Sequence, residues 1–190
     1  MPLSGLKELM RVLDDSPMIA ACKNDAGLER ALASDCTVIY LLYGNVCTIP
    51  SLVQRIKDTG KTAFVHLDLV DGLSNRDIAV DFIRQSTAAD GIITTRPNLI
   101  RRARDLGLIT IQRFFLLDSI AFENVIRQAS QADVVEILPG PMPKIIRRLV
   151  GQIRQPLIAS GLIMDKEDII SALGAGALAV SATNPDLWFL

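Results

Sequence analysis

The chain is short of several residue types, and each shortage excludes something. His66 is the only histidine in 190 residues, so no site can be built from two or more histidines. Cys22, Cys36 and Cys47 are an odd set without metal-type spacing. They argue against a disulfide framework and for a reducing cytoplasm. No apolar run approaches the roughly 18–20 residues that a spanning helix needs. Lys7, Glu8 and Arg11 break the N-terminal apolar positions at helical spacing, which excludes a signal peptide. No linker or low-complexity segment divides the chain. No glycine-rich strand–helix fingerprint points to a nucleotide cofactor, so none is expected, and no metal either.

What is present is apolar and regular. Apolar residues make up 49% of the chain and mean hydropathy is +0.32, which suits parallel strands buried on both faces. The length fits one domain, 1–190, with a sizeable core. Eight short aliphatic or β-branched runs read as strands: Met18–Ala21, Thr37–Leu42, Ala63–Leu69, Gly91–Thr95, Leu108–Phe114, Val134–Leu138, Pro156–Ser160 and Ala177–Ser181. Helical patterns fill the gaps. One stripe, Leu3, Leu6, Leu9 or Met10, and Leu13, precedes the first strand. Ser74, Asp118 and Asp165 are candidate N-caps, Pro143 suits a first turn, and Gly174 or Gly176 suits a helix end. Eight strand–helix repeats predict a compact (β/α)8 TIM-type barrel rather than an open doubly wound sheet. The extra N-terminal helix is expected to cover the barrel floor. Only residues 184–190 follow the eighth strand, so the last helix must be truncated.

Side chains alternate faces along a strand. If apolar faces meet the helices, His66 and Asp68 point into the barrel, as do Lys23, Thr94, Arg96, Gln112, Glu136, Ser160 and Ser181 on other strands. These positions fall near C-terminal strand ends, where barrels of this class build their sites. Buried charge needs a partner, and Lys23 can supply one to Asp68 and Glu136. Ser160-Gly161 follows the seventh strand, and Ser181-Ala182-Thr183-Asn184 follows the eighth, ahead of a one-turn helix at 185–188. Loops in that order, with a helix N-terminus, make the usual barrel anion site. Gly161 permits close backbone approach, and a bulky residue there is expected to block the anion while sparing the fold. The competing reading is ordinary turn chemistry.

Net charge is −1, unevenly spread. The stretch 96–113 carries +4, including Arg101, Arg102 and Arg104, and 144–154 carries +4 through Lys144, Arg147, Arg148 and Arg154. Such clusters attract phosphate backbones or are simply solvated helix faces.

The segments Val65–Leu69 with Gly72, Gly91–Arg96, Ile111–Asp118, Val135–Gly140, Ile158–Ile163 and Ala179–Asn184 with Leu187-Trp188 resemble the glycerol-3-phosphate-responsive antiterminator family over nearly the whole chain. The resemblance implies a regulator that binds glycerol 3-phosphate and acts on leader mRNA to prevent transcription termination of glycerol-utilisation genes. It implies phosphate roles for Ser160, Gly161, Ser181, Ala182, Thr183 and Asn184, and polyol roles for Lys23, His66, Asp68 and Glu136. Thr94, Arg96, Gln112 and Arg113 are expected as further ligand contacts or structural partners. Arg101, Arg102, Arg104, Lys144, Arg147 and Arg148 are the expected RNA contacts, which a homodimer can join into one track. Two departures stand out: the family pattern is Gly-Gly where Ser160-Gly161 stands here, and no RNA-binding motif with stacking aromatics is present. The alternative is a barrel enzyme acting on a phosphorylated polyol or sugar, with His66, Asp68 and Glu136 as acid or base. No lysine within the sixth strand supports a Schiff base. A scaffold that only binds protein fits poorly with a polar barrel mouth.

Overall fold

The computed structural model describes residues 5–190. Eight parallel strands close into a barrel in chain order, β8 pairing with β1. They are β1 (Met18–Cys22), β2 (Val38–Leu41), β3 (Thr62–His66), β4 (Gly91–Thr94), β5 (Ile109–Phe115), β6 (Val134–Leu138), β7 (Leu157–Ser160) and β8 (Ala179–Ala182). Around them lie α1 (Leu6–Asp15), α2 (Asp25–Ala33), α3 (Ile49–Asp58), α4 (Asp77–Ser86), α5 (Pro97–Asp105), α6 (Ser119–Gln128), α7 (Pro143–Val150) and α8 (Lys166–Gly174). This is the expected (β/α)8 barrel, with α1 as the extra helix. The eighth strand is followed only by a 3₁₀ segment, Pro185–Phe189, whose Trp188 packs into the core and donates from Nε1 to the Ala182 carbonyl at 2.9 Å.

Local chemistry explains most helix starts. Asn24, Asp118 and Asp165 each accept a backbone N–H at 2.8–2.9 Å and cap α2, α6 and α8, a device worth about 1 kcal/mol apiece. Pro97 and Pro143 occupy first-turn positions where a missing N–H costs nothing. Ser74 does not cap α4. The helix starts at Asp77, and Ser74 Oγ instead accepts from Arg76 N within the preceding loop.

The core has two shells. Outward strand residues such as Val65, Ile92, Val135 and Ile137 pack under the helices. Inside the barrel, Ile19, Val38, Tyr40, Phe64, Ile93, Ile111, Val134 and Ile158 form a second cluster, sealed from below by Leu9 and Leu13 of α1. Burying each of those leucines contributes about 2 kcal/mol, so α1 does cover the floor; Leu3, also assigned to that stripe, lies outside the described residues.

Two parity expectations are corrected. Register pairs Phe64 with Gly91 and Ile109, and His66 with Ile93 and Ile111. The inward residues of β4 and β5 are therefore Gly91, Ile93, Ile109, Ile111 and Arg113; Thr94 and Gln112 face the helices, where Gln112 Nε2 donates to Gln128 Oε1 of α6 at 3.2 Å. Because the lower barrel is filled with aliphatic side chains, both faces of these strands are apolar and polarity does not reveal which face is inward. Gly91 does reveal it: a Cβ there would lie 2.4 Å from the Phe64 ring and 2.3 Å from the Ile109 carbonyl oxygen. Likewise β3 ends at His66, and Asp68 sits on a 3₁₀ turn (Leu67–Leu69) rather than in the strand.

Candidate functional site

At the C-terminal mouth, Ala21, Leu42, Arg113, Leu138, Ser160–Ile163 and Ser181–Thr183 enclose a cavity of about 90 Å³. The loops after β7 and β8 thus meet around one hollow, as expected. Gly161 has φ +71°, and the exposed Leu162 follows it at φ +56°. A left-handed non-glycine residue stores strain, a feature that concentrates at ligand loops. A Cβ on Gly161 would lie 3.0 Å from Leu138 Cδ2. With its positive φ, a bulky residue at 161 strains the fold itself, so such a substitution cannot be the fold-silent block expected from sequence. The β6–α7 loop steadies this turn through Gly140 N to the Gly161 carbonyl at 2.8 Å.

The short C-terminal turn contributes less than expected to an anion site. Pro185 has no N–H, Asp186 N donates to Asn184 Oδ1 at 3.1 Å, and Leu187 N donates to the Asn184 carbonyl. Asn184 therefore caps the turn. The donors left at the cavity are loop N–H groups and the hydroxyls of Ser181 and Thr183, which line it.

Below them sits an ion pair. Arg113 Nε lies 2.6 Å from Glu136 Oε2, with side chains 8% and 0% exposed. Ser160 Oγ donates to the other carboxylate oxygen, so the Ser160 hydroxyl proton is turned away from the cavity. Arg113 is the one cation among the residues lining it. Its Nε is taken by Glu136, and its terminal nitrogens are the part that can reach an anion. The pairing is legible in register, since Arg113 and Glu136 are direct neighbours on β5 and β6.

Lys23 does not neutralise Glu136 or Asp68. It is exposed and lines an adjacent hollow that shares Ala21 and Thr183 with the first. Asp68 instead receives Thr94 Oγ1 at 2.7 Å, Thr95 N and Oγ1 at 2.8 Å each, and has Arg96 Nε at 3.5 Å. Burial pushes its carboxyl up, but the hydrogen bonds from Thr94 and Thr95 outweigh it and hold the group below the usual range. Asp68 thus ties the loop after β3 to the loop after β4. Thr94 and Arg96 serve this tie.

His66 is 3% exposed. Burial first, and Arg113 second, push its pKa down to about 4. The folded protein therefore holds His66 neutral, while the unfolded chain protonates it near 6.5. Its contribution to stability is complete above pH 6.5 and is lost as pH falls toward 4, at up to about 1.4 kcal/mol per pH unit. As this is the only histidine, urea melts at pH 5.0 and 7.5 isolate it. We expect His66→Asn to remove much of the loss between those values; an unchanged pH dependence would refute the assignment.

A family model described as glycerol-3-phosphate responsive antiterminator matches residues 18–188. The chain belongs to that family. The chain is 46% identical over 184 residues to the Escherichia coli (strain K12) protein YgcP, covering 96% of each chain. It superposes with a TM-score of 0.88 on the glycerol uptake operon antiterminator regulatory protein of Listeria monocytogenes, at 35% identity, covering 92% of this chain and 95% of that one. A glycerol uptake operon antiterminator-related protein of Thermotoga maritima gives 0.78 at 33% identity, with 90% and 96% covered.

The two basic rows differ in availability. On α5, Arg102 is bonded to Asp81 through Nε at 3.0 Å and Nη2 at 2.6 Å, and Arg104 Nη1 donates to the carbonyls of Ser130 and Gln131. Arg101 remains exposed. On α7, Lys144, Arg147 and Arg148 are all exposed, and among the described residues no carboxylate pairs with them. No described helix is long and apolar enough to cross a membrane.

Proposed function

We propose that this chain is a cytoplasmic, homodimeric sensor of glycerol 3-phosphate that binds leader mRNA of glycerol-utilisation genes and prevents termination, and that it is not an enzyme. The observation carrying this reading is the mouth cavity: two phosphate-type loops and Arg113 surround one hollow in a member of the antiterminator family. In this reading the anion meets Ser160, Gly161, Ser181, Ala182 and Thr183, with Asn184 shaping the last loop. Glu136 is fully buried with both carboxylate oxygens engaged, and His66 is neutral. Such groups position a ligand better than they shuttle protons. The basic rows lie on α5 and α7, with α6 between them, so a dimer is what joins rows from two subunits into a longer track.

A thermal-shift panel tests the sensor. Glycerol 3-phosphate at about 100 times its Kd stabilises the folded state by about 2.7 kcal/mol, which for a chain this size raises Tm by roughly 5–10 °C. Inorganic phosphate should give a smaller shift. No shift with any phosphate ester, together with turnover of a phosphorylated polyol, would replace the sensor with the enzyme.

A further inference from the structure

The hydroxyl of Tyr40 has no explanation within the protein. Tyr40 is 0% exposed, and among the described residues its Oη has no hydrogen-bond partner. Its ring packs edge-on against Phe64, centroids 5.8 Å apart at 68°, within the aliphatic interior of the barrel. For packing alone, phenylalanine serves better there, because an unsatisfied buried hydroxyl costs about 1–3 kcal/mol.

The position of Tyr40 shows where that hydroxyl is useful. Ala21, its register neighbour on β1, and Leu42, two residues further along its own run, both line the mouth cavity. Tyr40 does not itself line the cavity; it is the buried residue beside Ala21 in register and two before Leu42 along the chain. Phe64, its register neighbour on the other side, is followed two residues later by neutral His66. Burial, and then the Glu136 charge, keep the phenol protonated, so it can donate as well as accept. Arg113 opposes that shift but does not outweigh it. The phosphate loops lie above this level and an uncharged donor–acceptor lies below it.

We propose that Tyr40 is a specificity-determining residue: its buried hydroxyl hydrogen-bonds a hydroxyl on the carbon chain of a phosphorylated polyol whose phosphate sits in the loops after β7 and β8. This rests on the sensor reading and adds the residue that tells a polyol phosphate from an alkyl phosphate. It also explains why a stability cost is retained in the barrel: a site that hydrogen-bonds a ligand hydroxyl discriminates against analogues lacking it.

The test compares wild type with Tyr40→Phe by calorimetry, using glycerol 3-phosphate and propyl phosphate, the same chain length without hydroxyls. The melting temperature of each ligand-free protein is measured alongside. Wild type should prefer glycerol 3-phosphate by tenfold or more. Tyr40→Phe should shrink that preference by about tenfold, the scale of one neutral hydrogen bond, leave propyl phosphate affinity within about twofold, and melt at or above the wild-type temperature. An undiminished preference in Tyr40→Phe overturns the assignment. So does a ligand-free variant melting several degrees lower, because the hydroxyl would then already be satisfied inside the barrel. Equal wild-type affinity for the two esters overturns it as well. Wild type that binds neither ester refutes the sensor reading itself and this assignment with it.

Discussion

Glu136→Ala is expected to be the most damaging single change at the site, costing about 3–5 kcal/mol. The substitution strands Arg113, 8% exposed, without its counter-charge, and also removes the acceptor of the Ser160 hydroxyl. A domain of this kind is stable by about 5–15 kcal/mol in total, so the loss is a large share of the whole. Thermal or urea melts should show Tm lowered by on the order of 10 °C. The cost comes from the uncompensated charge rather than from the worth of the pair. The double variant Arg113→Met/Glu136→Met, which removes both charges, should recover most of the stability while ligand affinity stays low. Double-mutant coupling near zero, or Glu136→Ala melting within about 2 °C of wild type, would show that the pair does not hold the mouth.

The contrast between that pair and the rest of the site explains what could be read in advance. All eight strands lie where short aliphatic runs place them, since strand existence needs only a local apolar signal flanked by turns. Asp118, Asp165 and Pro143 gave usable helix starts for the same local reason. Ser74 failed because a capping residue matters only where a helix begins, and α4 begins three residues later. Which face of β4 and β5 points inward is not a local property. Both faces are buried, and the answer lies in Gly91, whose missing side chain makes room for Phe64 from the neighbouring strand. The same blindness paired Lys23 with Asp68 and Glu136. Glu136 is paired by Arg113 of the neighbouring strand β5, and Asp68 is held by Thr94 and Thr95 with Arg96 close by, where β4 runs into α5; these partners emerge only once register is known. Tyr40 is hidden in sequence as one member of an apolar run, although it is the only residue in β2 with a polar tip.

RNA binding should depend on α7 more than on α5. Six cations were candidates from sequence, but two of the three on α5 already have structural work: Arg102 holds Asp81, and Arg104 ties α5 to the loop before β6. Releasing them costs those bonds before any phosphate contact is gained. Lys144, Arg147 and Arg148 have no such ties, so each is free to meet a phosphate. Every such contact releases counterions, contributing about −0.7 to the slope of log K against log salt on single-stranded RNA. Lys144→Glu/Arg147→Glu/Arg148→Glu should therefore reduce the magnitude of that slope by about 2 and weaken binding on the order of a hundredfold at moderate salt. Because all three side chains are exposed, stability should change little, and glycerol 3-phosphate should still raise Tm. Gel shifts against structured leader RNA, with ligand present and at several salt concentrations, measure both quantities. Arg101→Glu, which breaks no internal bond, serves as the comparison on α5 and should cost less than the α7 triple change. If Arg101→Glu abolishes binding while the α7 variant keeps the full salt slope, the RNA lies across α5, and Arg102 and Arg104 must exchange their internal partners for phosphates when it binds.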